Sequence, residues 1–288
     1  MSFPAGQRSV VVRRERGIAW VPDTSPTLSR LREITPPGSI VRPFADDATL
    51  LAAIARGGIV ATVVEAGGDT HELAVRTLLR VHERFPQHPL VVWCDIATIT
   101  SAELIDVARA GVQEIVRQGL DELQVSFARV IASATQRSAS ATVLRLVGTS
   151  VPVRLRPVLA YAVEKADSRM DLDAFAATFG VTRRTLHMRL RECGLPPTRA
   201  FLTWCRLLCA SALLESPGHT LDSVAGQMGY ESGSHLGNTL RRYTGHGVNA
   251  LRVEGVLDAT VAGFRAAIVP PEPSRTLVDS LPEPSSAD

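Results

Sequence analysis

The chain has 288 residues, 45% hydrophobic and 21% charged, with a formal net charge of +2; that length suits about two domains, and the composition excludes a disordered or fibrous chain. No run nears the roughly 18 uninterrupted apolar residues of a membrane span, and Met1–Val12 lacks the basic-then-apolar layout of a signal peptide, so a cytoplasmic protein with no membrane partner is expected. Four cysteines (Cys94, Cys193, Cys205, Cys209) without a CxxC pair argue against a disulfide scaffold or a zinc ribbon and for reduced, buried thiols.

Residues 1–16 read as an N-terminal extension. From Gly17 to Thr135 short β-type runs alternate with amphipathic stretches. The strands are expected at Ile18–Val21, Ser39–Phe44, Ile59–Glu65, Leu90–Asp95 and Val112–Arg117. The helices are expected at Pro26–Ile34, Asp46–Arg56, Thr70–Phe85, Ser101–Ala110 and Leu120–Ala134. Strands rich in Val and Ile on both faces, separated by helices, point to a doubly wound α/β domain with a parallel five-stranded sheet over residues 17–135. His71, His82 and His88 have no Ser or Cys partner at a recognisable elbow and read as surface residues.

Residues 136–151 read as a linker, although Thr142–Val147 has a pattern that extends the preceding helix. From residue 152 to 268 only helical patterns remain, an all-α domain. Residues 269–288, with Pro at 270, 271, 273 and 282 and Ser and acidic residues between, read as a disordered tail.

The helical half contains a repeat. Leu172, Phe175, Ala176 and Gly180 recur 49 positions later as Leu221, Val224, Ala225 and Gly229, while Leu186, Leu190 and Arg191 recur 50 positions later as Leu236, Leu240 and Arg241. Each unit reads as a helix-turn-helix: a short helix with a small Ala, a Gly to end it, a polar starter (Thr182 or Ser232), and a second helix burying two Leu at i and i+4. In the first unit Arg184, His187, Met188 and Arg191 follow i, i+3, i+4, i+7 and share one stripe. In a major groove Arg184 suits guanine, Met188 a thymine methyl, and Arg183, Arg189 and Arg191 suit phosphates. The alternative for this stripe is a solvated face on a helical bundle. In the second unit Ser234 and Asn238, the latter suited to adenine, face out with Arg241 and Arg242; Gly233 and Gly237 lower the intrinsic stability of that helix, which is expected either to clamp mainly the DNA backbone or to fray in part without DNA. Between the units Thr198–Glu215 reads as one helix about 27 Å long, able to hold two reading helices near one turn of DNA apart. Cys205 and Cys209 alternate with its core leucines and read as packing, and Leu251–Ile268 reads as one amphipathic helix with Val253, Val256, Leu257, Val261, Phe264 and Ile268 on one face.

Residues 171–252 resemble the DNA-binding domain of the AraC/XylS family of transcription regulators. The resemblance rests on Ala176, Gly180, VTRRTLHMRLRECGLPP, RLLCASALLESP, LDSVAGQMGYESGSHL and LRRYTGHGVNALR. It implies a double helix-turn-helix that binds asymmetric promoter sites, with base-contacting positions at Arg184, His187 and Met188 and at Gly233, Ser234, Gly237 and Asn238. The chain departs from that pattern at Leu236 and Leu240, where the family usually has aromatic residues, and at Val248-Asn249, where it has Ser-Pro or Thr-Pro.

Residues 17–135, down to AGVQEIVRQGLDEL, resemble the receiver domain of response regulators, which implies a flavodoxin-like fold with strand order 2-1-3-4-5. A working receiver needs two acidic residues after the first strand, a phosphoryl-accepting Asp after the third, a Ser or Thr after the fourth and a Lys after the fifth. This chain offers Asp23, Glu65, Cys94 and Gln118 there, a vestigial pocket. A degenerate receiver serving dimerisation or sensing of a signal or partner is therefore expected. The partners expected are double-stranded promoter DNA, a second copy of the chain and RNA polymerase, with no cofactor, metal or enzyme activity. Two alternatives stay open: a phosphorylation-controlled response regulator, and an interaction module whose helix-turn-helix fold no longer binds DNA.

Charge distribution bears on the choice. Basic residues are 30 Arg and the single Lys165. Residues 1–151 carry 16 basic and 15 acidic side chains, 152–268 carry 14 and 10, and 269–288 carry 1 and 4, giving local balances of +1, +4 and −3. The helical half is the basic part, though modestly so.

Overall fold

A computed structural model of the chain describes residues 16–168, 170–216 and 219–269. Residues 1–15 of the expected extension and 270–288 of the expected tail lie outside the described residues. No helix of the described residues is long and apolar enough to cross a membrane.

The first half alternates β1 (Arg16–Val21), α1 (Thr27–Ile34), β2 (Ser39–Pro43), α2 (Asp47–Ala55), β3 (Ile59–Glu65), α3 (His71–Arg84), β4 (Leu90–Cys94), α4 (Ser101–Arg109), β5 (Glu114–Arg117) and α5 (Gln124–Val147). All strand pairs are parallel, as the sequence pattern suggests, in the order β2-β1-β3-β4-β5 that the receiver resemblance implies. The central β3 and β4 are buried throughout except for Glu65, because helices cover both faces. Period-2 alternation splits the core: Ala19, Val21, Val64 and Val92 pack under α2, α3 and α4, while Ile18, Trp20, Val63 and Trp93 pack with Leu31 of α1 and Phe127 of α5. Trp20 and Trp93 meet edge to face at 6.0 Å.

Two expectations change here. The segment taken as a linker is mostly helix: α5 runs on without a breaker to Val147, followed by a single 3₁₀ turn at Gly148–Ser150. Its first half lays Phe127 and Ala134 on the sheet, and its second half puts Ala139, Val143 and Val147 into the core of the helical half. Ser138, buried between the two, donates to the Gln87 carbonyl, so a polar residue crosses the interior with its hydroxyl satisfied. The second change is His88. Instead of lying on the surface it is buried under the sheet, its Nε2 2.9 Å from the hydroxyl of the fully buried Thr62, and burial holds its pKa down to about 3. His82 is exposed, and His71 is half-buried near Glu103 and Asp106.

The second half comprises α6 (Arg156–Glu164), α7 (Leu172–Ala177), α8 (Arg183–Glu192), α9 (Thr198–Glu215), α10 (Leu221–Gln227), α11 (Gly233–Thr244), α12 (Val248–Glu254) and α13 (Val256–Ala266). The axle is α9, with the expected bounds; it touches α5, α6, α8, α10 and α13. Cys205 and Cys209 lie wholly inside this core, and burial pushes the Cys209 thiol up to about 12. The amphipathic stretch from Leu251 is two helices rather than one. Gly255 breaks it at φ 93°, and the carboxylate of Glu215, at the end of α9, accepts from the Leu257 N–H at 2.8 Å. Burial raises the pKa of that carboxyl. The break turns Val253 outward, 87% exposed, against its expected place on the apolar face, and seats Val256, Leu257, Val261 and Phe264 on α9.

Candidate nucleic-acid interface

The two repeat units are built alike. Asp171 caps α7, and Gly180 (φ 65°) ends its turn; Thr182 then starts α8, its hydroxyl accepting from the Thr185 N–H at 3.2 Å. Thr220 caps α10, Gly229 (φ 69°) ends its turn, and the Ser232 hydroxyl accepts from the His235 N–H at 3.1 Å to start α11. Leu186 and Leu190 face the core from α8, as Leu236 and Leu240 do from α11, each at most 1% exposed. Those buried pairs fix which face of each helix is left to solvent.

On α8 that face carries Arg183, Arg184, Met188, Arg189 and Arg191, all exposed, with His187 half-buried beside them. Met188 is 50% exposed, an apolar side chain presented to water between cations. Arg189 and Arg191 sit in the last turn, where the helix dipole favours cations; Arg183 and Arg184 sit in the first turn, where each is disfavoured by about 0.3–1 kcal/mol. Two arginines at the wrong end of a helix are a local sacrifice of stability of the kind found at binding sites.

The α11 face carries Ser234, His235, Asn238, Arg241 and Arg242, all exposed. The helix is regular over its 12 residues and closes on Gly245 in the left-handed conformation. Its two glycines differ in their surroundings. Gly233 is buried, its N–H donating to the Asp222 carboxylate at 2.9 Å, and a Cβ there would stand 2.4 Å from that oxygen. Gly237 looks toward Leu221 and Val248, 3.5 and 3.6 Å from where its Cβ would be. Gly233 therefore lets α10 approach α11, while a Cβ at Gly237 would meet only ordinary van der Waals contacts. Asp222 escaped the sequence reading; the signal for it was a glycine in the first turn of a helix, where a close neighbour is the usual reason. Arg206 also escaped it. From α9 its guanidinium donates to the carbonyls of Ala166 (3.0 Å) and Ser168 (2.7 Å) and lies 6.0 Å from the Tyr230 ring, tying α9 to the turn before α11.

The sheet's carboxyl edge forms an open depression of about 410 Å³ whose lining includes Ser25, Glu65, Thr70, Cys94, Asp95 and Gln118. Three of the four residues singled out there, Glu65, Cys94 and Gln118, meet in it; Asp23 is exposed and does not line it. Glu65 accepts a 2.6 Å hydrogen bond from the Thr27 hydroxyl at the start of α1. Cys94 is buried, its thiol pKa raised by burial and then by Asp95, and its carbonyl accepts from the Gln118 N–H at 2.9 Å. Among the described residues no group of three or more His, Cys, Asp or Glu is placed to hold a metal ion.

Against known proteins, a family described as "Helix-turn-helix domain" matches residues 175–253, the two repeat units and the helix between them. The chain carries a helix-turn-helix domain. No curated protein matches the chain. Among solved structures it is similar to a pilus assembly-related protein from Burkholderia pseudomallei K96243 (16% identity, 42% of this chain and 92% of that one, TM-score 0.33). It is also similar to RcsB from Salmonella enterica serovar Typhimurium bound to promoter rprA (14%, 65% and 98%, 0.30). A further similarity is to full-length FixJ from B. japonicum (15%, 79% and 97%, 0.31).

Proposed function

We propose that this chain is a sequence-specific DNA-binding transcription regulator that works in the cytoplasm as a homodimer, and that contacts RNA polymerase at the promoter. The observation that carries the reading is the repeated helix-turn-helix in which α8 and α11 bury their leucine pairs and turn base-reading side chains outward. Arg184, His187 and Met188 read bases from α8, and Asn238 and Ser234 do so from α11; Arg183, Arg191, Arg241 and Arg242 hold phosphates. With a balance of only +4 over residues 152–268, affinity rests on these placed arginines and on dimerisation more than on a broad basic field.

Selection of bound duplexes from a random pool tests this. The wild-type protein should enrich a defined site, and Arg184→Ala should relax one base step of that site at a cost of ~1–3 kcal/mol. Wild-type binding with no preference over random duplex at moderate salt would sink the reading.

The N-terminal half acts in dimerisation or in sensing a partner or signal, without phosphoryl transfer. Glu65 carries one methylene more than an aspartyl acceptor and accepts a hydrogen bond from Thr27, and Asp23 does not line the depression that Glu65 lines. Incubation with acetyl phosphate and Mg²⁺ should leave the mass unchanged. A gain of one phosphoryl group on Glu65 or Asp95 would establish the phosphorylated regulator instead.

A further inference from the structure

We propose that the open groove between the N-termini of α8 and α9 is a seat for one phosphate of the DNA backbone, held from α9 as well as from the reading helix; this rests on the DNA-binding reading above. The groove, about 580 Å³, is lined by Asp173 on α7, Arg183, Arg184 and His187 on α8, and Thr198 and Arg199 on α9, among others. Thr198 is 3% exposed, yet its hydroxyl has no hydrogen-bond partner among the described residues. A buried hydroxyl left without a partner is costly, and an oxyanion in the groove supplies the missing acceptor.

The surroundings fit the same ligand. No side chain caps α9, because Pro197 stands at its N-cap, so its first N–H groups are free to meet an anion. Neither α8 nor α9 has an acidic residue in its first turn; they carry Arg183, Arg184 and Arg199 there, and none of the three forms an ion pair among the described residues. Three cations at the positive ends of two helices repel those ends until a phosphate lies between them, where guanidinium forks and helix N–H groups all point the same way. Asp173, the one carboxylate in the lining, keeps an anion away from α7 and against α9. The shared chemistry is a tetrahedral phosphate, from a DNA backbone or a free phosphate. The groove's continuity with Arg184 and His187 of the reading face favours the backbone, which would then fix how far α8 enters the major groove.

The test uses the full chain, its selected duplex and a random duplex. Arg199→Ala and the near-isosteric Thr198→Val should weaken both duplexes by the same factor and keep the preferred sequence, unlike Arg184→Ala. Arg199→Ala should also reduce the slope of log K against log salt by about one. Unchanged affinity and slope in both variants would overturn the backbone seat. If the wild-type protein binds no DNA, the proposed function fails, and inorganic phosphate alone then decides the seat. Shifts of the Thr198 and Arg199 backbone amide resonances that vanish in Arg199→Ala support an oxyanion site, and their absence overturns it. Such shifts together with an unchanged salt slope on DNA assign the groove to free phosphate and overturn the backbone proposal.

Discussion

Between pH 6.5 and 4.5 the N-terminal half should lose about 2 kcal/mol of stability through His88 alone, and His88→Gln should remove most of that dependence. The imidazole is buried against Thr62, and burial holds its pKa at about 3, below its ordinary value of 6.5. The folded state therefore keeps it neutral while the unfolded chain takes up a proton. The contribution is complete above pH 6.5 and falls away at roughly 1.4 kcal/mol per unit as pH drops toward the folded value. Carboxylates held below their usual range, Asp46, Glu103 and Asp121 among them, lose their own contributions in more acid solution, and Glu215, whose pKa burial raises, is common to both proteins, so the difference between wild type and His88→Gln in the upper window isolates the histidine. Urea unfolding followed through the buried Trp20 and Trp93 measures it. Equal pH slopes for wild type and His88→Gln in that window would show that the ring is solvated after all.

His88 also shows where the sequence stops being informative. Its neighbours Pro86, Gln87 and Pro89 read as a surface loop, and nothing in periodicity records that the loop buries His88 against Thr62 of β3. The alternation of strands and helices and the helix faces were legible because Val and Ile runs and leucines at i, i+4 repeat over many residues, and each repeat reports the same burial, whereas the strand order came from the receiver resemblance. The exposed face of α8 was legible for that reason: once Leu186 and Leu190 are inside, Arg184 and Met188 have to be outside. Features that depend on one residue from a distant element were not. Asp222 against Gly233, Glu215 at the start of α13 and Thr27 on Glu65 join positions 11, 42 and 38 residues apart, and no local pattern encodes such a pairing. The linker failed differently. Ala, Ser and Thr between Ala134 and Val147 look polar enough for a connector, but their small size lets α5 lie against α6 and α9.

Phe264→Ala should destabilise the helical half by about 3–5 kcal/mol and abolish DNA binding at temperatures where the wild-type protein binds, although residue 264 lies beyond the matched helix-turn-helix domain. Phe264 is fully buried, with its ring 6.0 Å from Trp204 and 6.5 Å from Phe201, both on α9. Trp204 in turn meets Tyr243 of α11 edge to face at 5.0 Å. A stack of rings thus runs from α13 through α9 to α11. Next to it Gly263 passes so close to Trp204 that a Cβ would lie 2.9 Å from the indole, and Ser211 and Thr260 share a buried 2.8 Å hydrogen bond. Removing the ring leaves a cavity that these neighbours cannot fill without moving α9, the helix that sets the spacing between α8 and α11. Val253→Ala is the matched control: at 87% exposure it should change stability by no more than about 0.5 kcal/mol. Chemical denaturation followed by helicity, with DNA binding measured on the same samples, reads both effects. A Phe264→Ala protein as stable as Val253→Ala would mean that α13 is an appendage, and that the helix-turn-helix pair is held by α9 without it.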